Sequence, residues 1–192
     1  MSQLVSRVIS AAGRSSFSSL SRTIHLSAGN MVIAVGDKLP SIDLFENTPA
    51  TKVNLVGEAA GKKIIIFAVP GAFTPGCSKT HLPGFVTKAD ELKSKGVSAI
   101  FCVSINDPFV MAAWGKDHGA DGKVNINKLV RMLADPTGVF TDALELSVDL
   151  PVLGGKRSKR YSMVVEDGVV KELNVEPDNT GLSCSLADHI KA

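Results

Sequence analysis

Three largely apolar runs are found along the chain, at residues 64–69, 97–105 and 129–134, of which the first is uninterrupted. Each is rich in apolar β-branched or aromatic side chains and is bounded by turn-forming residues, which is typical of a buried strand. Shorter extended segments at 41–46 and 51–56 precede them and predict two further strands, with a polar connection after the second. The pattern therefore predicts a sheet with buried inner strands.

Between these runs, apolar residues recur at helical spacing. A helix is predicted to continue through residues 85–92 and to end near Gly96, with a kink at the Pro83-Gly84 pair in its interior. Asp107-Pro108 is typical of a helix start, and the following helix is expected to end around His118-Gly119. The remaining predictions are short helices at 138–146 and 185–191 and a loop at 151–155.

The C-terminal third of the chain contains a hairpin pattern. Residues 161–165 and 169–175 are rich in valine and flank Asp167-Gly168, a pair that favours a tight turn between antiparallel strands. Strands alternating with helices, followed by a hairpin and a final helix, predict an α/β fold with a central mixed β-sheet flanked by helices. The strand order is not determined by this pattern.

The first 30 residues differ in composition from the rest. They contain arginines and many serines but no Asp or Glu, since the first acidic residue is Asp37. This composition predicts a mitochondrial transit peptide at 1–30, and a disordered basic tail is the alternative. The folded domain is then expected at 31–192, and translation from Met31 would give a shorter cytoplasmic form.

Composition limits the classes of function. The chain has 192 residues, 44% of them hydrophobic and 21% charged, with a formal net charge of +2. These values are typical of one ordinary globular domain, and we expect neither nucleic-acid nor membrane binding. The basic cluster at 156–160 is short, and no apolar stretch is long enough to span a bilayer.

Candidate chemistry follows the first apolar run. Pro70 ends the run, and Thr74-Pro75-Gly76 supplies a capping hydroxyl, a proline suited to the first helical position and a flexible glycine. Cys77 is therefore expected in the first turn of a helix. The free amides and positive end of the helix dipole there favour a thiolate over a thiol. The alternative is a small cysteine buried beneath the helix.

The spacing Pro70-x-x-x-Thr74-x-x-Cys77 resembles the active-site motif of the peroxiredoxins. The longer stretch through Gly84, together with residues 176–186, is similar to the atypical two-Cys members of that family. The similarity extends from about Met31 to the C-terminus. It implies a thioredoxin-like fold and a peroxidase that reduces hydrogen peroxide, alkyl hydroperoxides and peroxynitrite, with thioredoxin as the reductant. It also implies a monomer or a homodimer.

The resemblance also implies roles for individual residues. Cys77 matches the peroxidatic cysteine, Cys184 the resolving cysteine, Thr74 the neighbouring hydroxyl, Pro70 the residue that shields the site, and Arg160 the active-site arginine. Splitting an O–O bond requires an aligned thiolate and donors that stabilise charge on the leaving oxygen. Thr74, Arg160 and the amides of Gly76 and Cys77 are suitable donors.

Each assignment has an alternative. Arg160 could be a solvated charge in its basic cluster. Cys184 lies among polar residues that predict a mobile loop, whereas Cys102 lies in an apolar strand and is expected to be a core residue. Cys77-x-x-x-His81 could be half of a metal site, but no second Cys/His pair accompanies it. His81 is expected to border the active site or to pack beneath the helix.

The class of function also has alternatives. Cys77 has no Cys-x-x-Cys partner, which disfavours a thioredoxin-like disulfide oxidoreductase. A peroxide sensor that passes its oxidation to a partner protein would use the same activated thiolate, so this alternative stays open. We expect no metal, haem, flavin or nucleotide. The terminus Ile190-Lys191-Ala192 does not match a peroxisomal address, so peroxisomal delivery by that route is not expected.

Overall fold

A mixed β-sheet of seven strands forms the centre of the molecule in the computed structural model, which describes residues 32–120 and 130–191. The predicted transit peptide at 1–30, the alternative start at Met31, Leu129 and Ala192 lie outside the described residues. The order of the strands in the sheet is β2-β1-β5-β4-β3-β8-β9, and β6 and β7 form a separate two-stranded sheet. The strands are β1 (Asp43–Glu46), β2 (Lys52–Asn54), β3 (Lys63–Ala68), β4 (Val97–Ser104), β5 (Val130–Ala134), β6 (Ser147–Leu150), β7 (Gly155–Ser158), β8 (Tyr161–Glu166) and β9 (Val169–Val175).

The helices of the described part lie between these strands. They are α1 (Leu55–Ala59), α2 (Leu82–Ser94), α3 (Pro108–Asp117) and α4 (Val139–Ala143), with a π-helical turn at Cys77–His81 and 3₁₀ turns at Pro151–Leu153 and Ala187–His189. Strands β3, β4 and β5 are parallel, and β8 pairs antiparallel with both β3 and β9. The predicted α/β class with a mixed sheet is confirmed.

The burial of the central strand β3 explains why the run at residues 64–69 is uninterrupted by polar residues. Ile65 and Phe67 pack into a core on one face of the sheet with Cys77 and Trp114, while Ile64 and Ile66 pack into a second core on the other face. A strand buried on both faces has no position for a polar residue. The turn that contains Cys77 thus follows directly from a strand that is buried on both faces.

The predicted hairpin is confirmed. Strands β8 and β9 pair antiparallel, and the turn residues Asp167 and Gly168 have φ values of 49° and 76°. Two consecutive positive φ angles define the turn type that matches the twist of adjacent strands, and Gly adopts this conformation without steric cost.

Three local predictions are wrong. Residues 55–56 begin α1 rather than end a strand, because the Asn54 side chain caps the helix by accepting from the Val56 amide. The region predicted as a loop at 151–155 contains a 3₁₀ turn that joins the paired strands β6 and β7. The predicted C-terminal helix is reduced to the turn Ala187–His189.

Candidate active site

Cys77 lies where the sequence predicts it. The backbone becomes helical at Pro75, and Cys77 begins the π-helical turn Cys77–His81 that leads into α2. The side chain is fully buried in the core on one face of the sheet, next to the end of β3. The sequence left two alternatives for Cys77, a place in the first turn of a helix or burial beneath the helix. The structure shows both, since the thiol lies in the first helical turn and is buried.

The π-helical turn has a local cause. The amide of Leu82 donates to the carbonyl of Cys77, five residues earlier, and Pro83 follows with no amide hydrogen to donate. A π-helical turn of this kind is a local irregularity within a helix and is frequent at functional sites. The irregularity of this helix thus lies at Cys77–His81, and α2 is continuous from Leu82 to Ser94 through Pro83 and Gly84.

Two side chains contact the Cys77 sulfur. The Thr74 hydroxyl oxygen lies 2.9 Å from Sγ and 3.0 Å from the carbonyl oxygen of Gly71. Because a hydroxyl has one proton, it donates to one of these acceptors at a time. The Nη1 atom of Arg160 lies 3.4 Å from the same sulfur. A neutral donor and a permanent cation therefore face the sulfur together.

Arg160 is buried, with 3% of its surface exposed. Its Nε donates to the carbonyl of Thr180 at 3.0 Å, and its backbone amide donates to the carbonyl of Asn179 at 2.7 Å. These bonds fix the guanidinium against the Cys77 turn. The interpretation of Arg160 as a solvated charge is wrong.

His81 forms the other side of the Arg160 pocket. Its Nε2 lies 3.0 Å from the carbonyl oxygen of Ser185, and its Nδ1 lies 3.2 Å from Arg160 Nη1. A carbonyl only accepts and a guanidinium only donates, so Nε2 carries the proton and Nδ1 accepts. Burial lowers the pKa of His81 to about 4, and the Arg160 charge acts in the same direction, against the Ser185 bond and the Glu176 charge. The ring is therefore neutral at pH 7, and both expectations for it, bordering the site and packing beneath the helix, are met.

Gly76 is needed for space. Its φ of −65° suits any residue, but a Cβ there would lie 3.3 Å from Nη2 of Arg160 and 3.5 Å from a methyl of Leu182. The absence of a side chain lets the guanidinium approach the turn closely. Pro70 is buried between the end of β3 and this turn.

Cys184 lies outside helices and strands, in the segment 183–185, and is partly exposed. Its sulfur donates to the carbonyl of Val175 at 3.4 Å, and its amide donates to Oε1 of Glu176 at 2.9 Å. Burial and the neighbouring Glu176 charge raise the pKa of the Cys184 thiol. The predicted loop is therefore tied by hydrogen bonds to Glu176.

The three cysteines are all free thiols. Cys102 is fully buried in β4, and burial raises the pKa of its thiol well above the usual value. Its placement in the core confirms the prediction. In this structure Cys77 and Cys184 are the two thiols that lie in turns or loops.

Sequence reasoning missed three residues that support the site. The Oδ1 atom of Asn106 accepts from the Ala72 amide at 3.0 Å and from the Ser104 hydroxyl at 2.8 Å, which anchors the turn before Cys77 to β4. Trp114 donates to the Ser78 hydroxyl at 2.9 Å, and Glu176 binds the Cys184 segment. The sequence does contain a signal for Asn106, because it is a polar residue directly after a predicted buried strand.

The surroundings of His81 do not form a metal site. Both ring nitrogens of His81 are engaged by Ser185 and Arg160, so neither is available to a metal ion. Within 32–120 and 130–191, no group of three or more His, Cys, Asp or Glu side chains is arranged to hold one. No helix in that part of the chain has the length and apolar character needed to cross a membrane.

Comparisons with known proteins agree with this geometry. The family model Redoxin matches residues 34–189. The chain is 49% identical over 167 residues to Peroxiredoxin-2E, chloroplastic, of Arabidopsis thaliana, which covers 83% of this chain and 69% of that protein. The structure of reduced Prx3 from Vibrio vulnificus in complex with hydrogen peroxide has a TM-score of 0.74 and 44% identity, covering 82% of this chain and 97% of that one. Peroxiredoxin 5 from Alvinella pompejana has a TM-score of 0.67 and 39% identity, covering 77% and 92%.

The mixed sheet with its flanking helices is a thioredoxin-like fold, and the similarity to known peroxiredoxins shows that the protein is a thiol-dependent peroxidase. The chain belongs to the peroxiredoxins, and within them to the type II peroxiredoxins.

Proposed function

We propose that the protein is an atypical two-Cys enzyme of the peroxiredoxin-5 type, with Cys77 as the peroxidatic and Cys184 as the resolving cysteine. The observation that carries the proposal is the position of the Cys77 sulfur, 2.9 Å from the Thr74 hydroxyl and 3.4 Å from the buried Arg160. A buried cation next to a sulfur in a helical turn stabilises the thiolate, which is the nucleophilic form. Structural similarity to peroxiredoxin 5 from Alvinella pompejana supports the type.

In the first step the Cys77 thiolate attacks one oxygen of a hydroperoxide, ROOH. The S–O bond forms as the O–O bond breaks, so sulfur is oxidised by two electrons and the leaving oxygen departs as RO⁻, which takes a proton to give ROH. The Arg160 guanidinium has donors in a fixed fork that can bind peroxide oxygen and stabilise this charge. When the Thr74 proton points to Gly71, its oxygen is free to accept a hydrogen bond from the peroxide.

In the second step the Cys184 sulfur attacks the sulfur of the Cys77 sulfenic acid. A disulfide forms and the hydroxyl leaves as water, with the proton supplied by the Cys184 thiol. Because disulfide formation requires the two Cα atoms to approach within about 7 Å, we propose that the Cys77 turn unwinds locally. A dithiol reductant, thioredoxin in this proposal, then returns two electrons and two protons to the pair.

Further aspects of function are also proposals. The substrates are hydrogen peroxide, alkyl hydroperoxides and peroxynitrite, the reductant is thioredoxin and the assembly is a monomer or a homodimer. Residues 1–30 direct the chain to an organelle, for which we propose the mitochondrion, and Met31 begins a cytoplasmic form. The relative from Arabidopsis thaliana is named as chloroplastic, which supports organellar delivery in general.

The test is a thiol count and intact mass before and after one equivalent of hydrogen peroxide, followed by peptide mapping. Loss of two thiols with Cys77 joined to Cys184 in one chain is the expected result. A lasting sulfenic acid on Cys77 with Cys184 free would instead indicate a one-cysteine enzyme or a peroxide sensor. No reaction at Cys77 would overturn the assignment of the peroxidatic residue.

A further inference from the structure

Glu176 binds the whole segment that carries Cys184. Its Oε1 atom accepts hydrogen bonds from three consecutive backbone amides, those of Ser183, Cys184 and Ser185, each at 2.9 Å. The Ser185 hydroxyl also donates to Oε1, at 2.7 Å, and the Ser183 hydroxyl donates to Oε2 at 2.6 Å. Five donors from three successive residues thus converge on one carboxylate, which we call the Glu176 clamp.

The glutamate of the Glu176 clamp is buried, with 1% of its surface exposed, whereas Ser183 at one end of the clamp is exposed. Burial opposes ionisation, but the hydrogen bonds from Ser183, Cys184 and Ser185 outweigh it and hold the pKa of the Glu176 carboxyl well below its usual range. Hydrogen bonds to a charged group are stronger than those between neutral groups, and removing the donors would leave a buried charge without partners. Withdrawing the segment from Glu176 is therefore costly.

The same segment is also bonded to its surroundings. The sulfur of Cys184 donates to the carbonyl of Val175, and the carbonyl of Ser185 accepts from Nε2 of His81. The backbone amide of Glu176 donates to the carbonyl of Arg160 at 3.0 Å. The Glu176 clamp thus holds the Cys184 segment against the strand end that also carries the active-site arginine.

The Cys77 turn is held differently. Its backbone forms a π-helical turn rather than a regular α-helix, and its side-chain tie to α3 is a neutral bond between Trp114 and the Ser78 hydroxyl. π-Helical turns are rare and occur mostly as single turns within α-helices. The contacts of the Cys77 sulfur with Thr74 and Arg160 involve the reacting atom itself and change when it is oxidised, whereas none of the five bonds to Glu176 does.

We infer that Glu176 is a positioning residue that keeps the Cys184 segment in place while the Cys77 turn unwinds and supplies the movement needed for the disulfide. The inference rests on the proposed pairing of Cys77 with Cys184. A Cys184 segment that stays in place also shortens the lifetime of the sulfenic acid at Cys77. Once the Cys77 turn has unwound, its sulfur finds the Cys184 sulfur at a single, fixed position. The balance of the step is unchanged: the S–S bond forms, the S–OH bond breaks and water leaves.

Variants of the clamp test the inference in a single-turnover reaction quenched with acid and analysed by mass spectrometry. Disulfide formation is expected to slow about tenfold in Glu176→Ala, and by less in Glu176→Gln, because glutamine keeps one acceptor oxygen. It is expected to slow about threefold in Ser183→Ala, because this variant loses one charge-assisted bond. A larger share of Cys77 should go on to sulfinic acid at high peroxide. Glu172→Gln is the matched control, because Glu172 accepts from Asn174 and from the Lys191 amide and lies outside the Glu176 clamp.

Ser183→Ala separates the two steps, since Ser183 makes no bond to His81 or Arg160 in this network. Its second-order rate constant with hydrogen peroxide should stay within about twofold of the wild type, while disulfide formation slows. The inference is overturned if disulfide formation in Glu176→Gln and Ser183→Ala proceeds at an unchanged or higher rate. This holds even if the Cys77–Cys184 disulfide forms normally in the wild type.

Hydrogen exchange on the wild-type protein provides a test without substitutions. In the disulfide form the amides of residues 183–185 should keep their slow exchange, while those of residues 77–82 exchange faster than in the reduced form. Fast exchange at 183–185 with slow exchange at 77–82 would overturn the inference. If peptide mapping shows no Cys77–Cys184 disulfide at all, the proposed cycle itself fails, and the role of Glu176 in it fails with it.

Discussion

The Nδ1 atom of His81 accepts a hydrogen bond from Nη1 of Arg160 at 3.2 Å, and the same guanidinium nitrogen lies 3.4 Å from the Cys77 sulfur. The ring is oriented for this contact by its second bond, from Nε2 to the Ser185 carbonyl. A neutral histidine thus acts on the sulfur through the arginine. The His81 ring also packs edge-on against Phe67 and Phe85. This packing gives an alternative in which His81 has a purely structural role.

Two substitutions of His81 distinguish these roles. His81→Phe keeps an aromatic ring but has no acceptor for Arg160, and we expect the reaction with hydrogen peroxide to slow about tenfold. His81→Gln loses the ring but offers an oxygen to Arg160 and an amide to Ser185, and we expect a rate within about threefold of the wild type. The measurement is the second-order rate constant of the reduced protein by stopped flow.

The control for these variants is His189→Gln, an exposed position in the turn Ala187–His189. The effect of His81→Phe should also largely disappear in an Arg160→Met background, because His81 acts through Arg160. Equal or faster reaction in His81→Phe than in His81→Gln would show that the ring serves packing alone.

The pH dependence of stability follows from the same ring. The pKa of His81 is about 4 in the folded protein against 6.5 when unperturbed, so below pH 6.5 the unfolded chain binds a proton that the folded one does not. The stabilisation is complete above pH 6.5 and is lost as the pH falls toward 4, by about 3 kcal/mol in all. Arg160, Glu176 and Cys77 are the charged or titratable groups around it.

Urea unfolding of the wild type and His81→Gln at several pH values between 7 and 4 measures this term. The wild type should lose stability more steeply than His81→Gln across this window, because glutamine does not titrate. Parallel profiles for the two proteins would show that His81 is not held neutral by the fold.

How far the sequence could predict this molecule depended on whether the signal was local. The apolar runs predicted β3 and β4 because a strand buried on both faces has few positions for polar residues, and the Asp167-Gly168 pair predicted its hairpin because few residues accept that turn. The short strands β6 and β7 were missed, since a two-stranded sheet at the surface has no such pattern. The predicted C-terminal helix failed because the backbone of Ser185 bonds to Glu176 and His81 instead.

The residues of the candidate site likewise divide into those that a local sequence pattern predicts and those that only tertiary packing brings together. Pro70, Thr74, Gly76 and Cys77 lie within eight residues of the sequence, and the family motif that this stretch resembles predicted them as parts of one site. The bond from His81 to Ser185 spans 104 residues and depends on tertiary packing. No local pattern marks Glu176 as the acceptor for five donors, because those donors are mostly backbone amides, which every sequence has.

Replacing Arg160 with lysine tests the contribution of the guanidinium. A lysine keeps the charge but loses the fork of donors that reaches Thr180, His81 and Cys77 together. We expect the rate constant with hydrogen peroxide to fall about 100-fold, the scale typical for loss of a donor that stabilises developing charge. Arg157→Lys is the matched control, because Arg157 donates to the carbonyl of Ile105 outside the Cys77 pocket. A change of less than about threefold in Arg160→Lys would mean that charge alone is sufficient.

The bond between Trp114 and Ser78 provides both a reporter and a restraint for the Cys77 turn. Trp114 is the single tryptophan of the chain, and its Nε1 donates to the Ser78 hydroxyl, one residue beyond Cys77. Unwinding of the turn would break this bond, so intrinsic fluorescence should change in step with disulfide formation rather than with peroxide consumption.

Ser78→Ala removes the restraint without touching the sulfur. Because the turn then unwinds at lower cost, we expect disulfide formation to accelerate about threefold, opposite in sign to the effect of loosening the Glu176 clamp. Ser94→Ala, at the far end of α2 where the hydroxyl donates to the carbonyl of Glu91, is the control and should leave the rate unchanged. Slower disulfide formation in Ser78→Ala would mean that the turn is needed intact when the two sulfurs meet, and that the Cys184 segment does the moving.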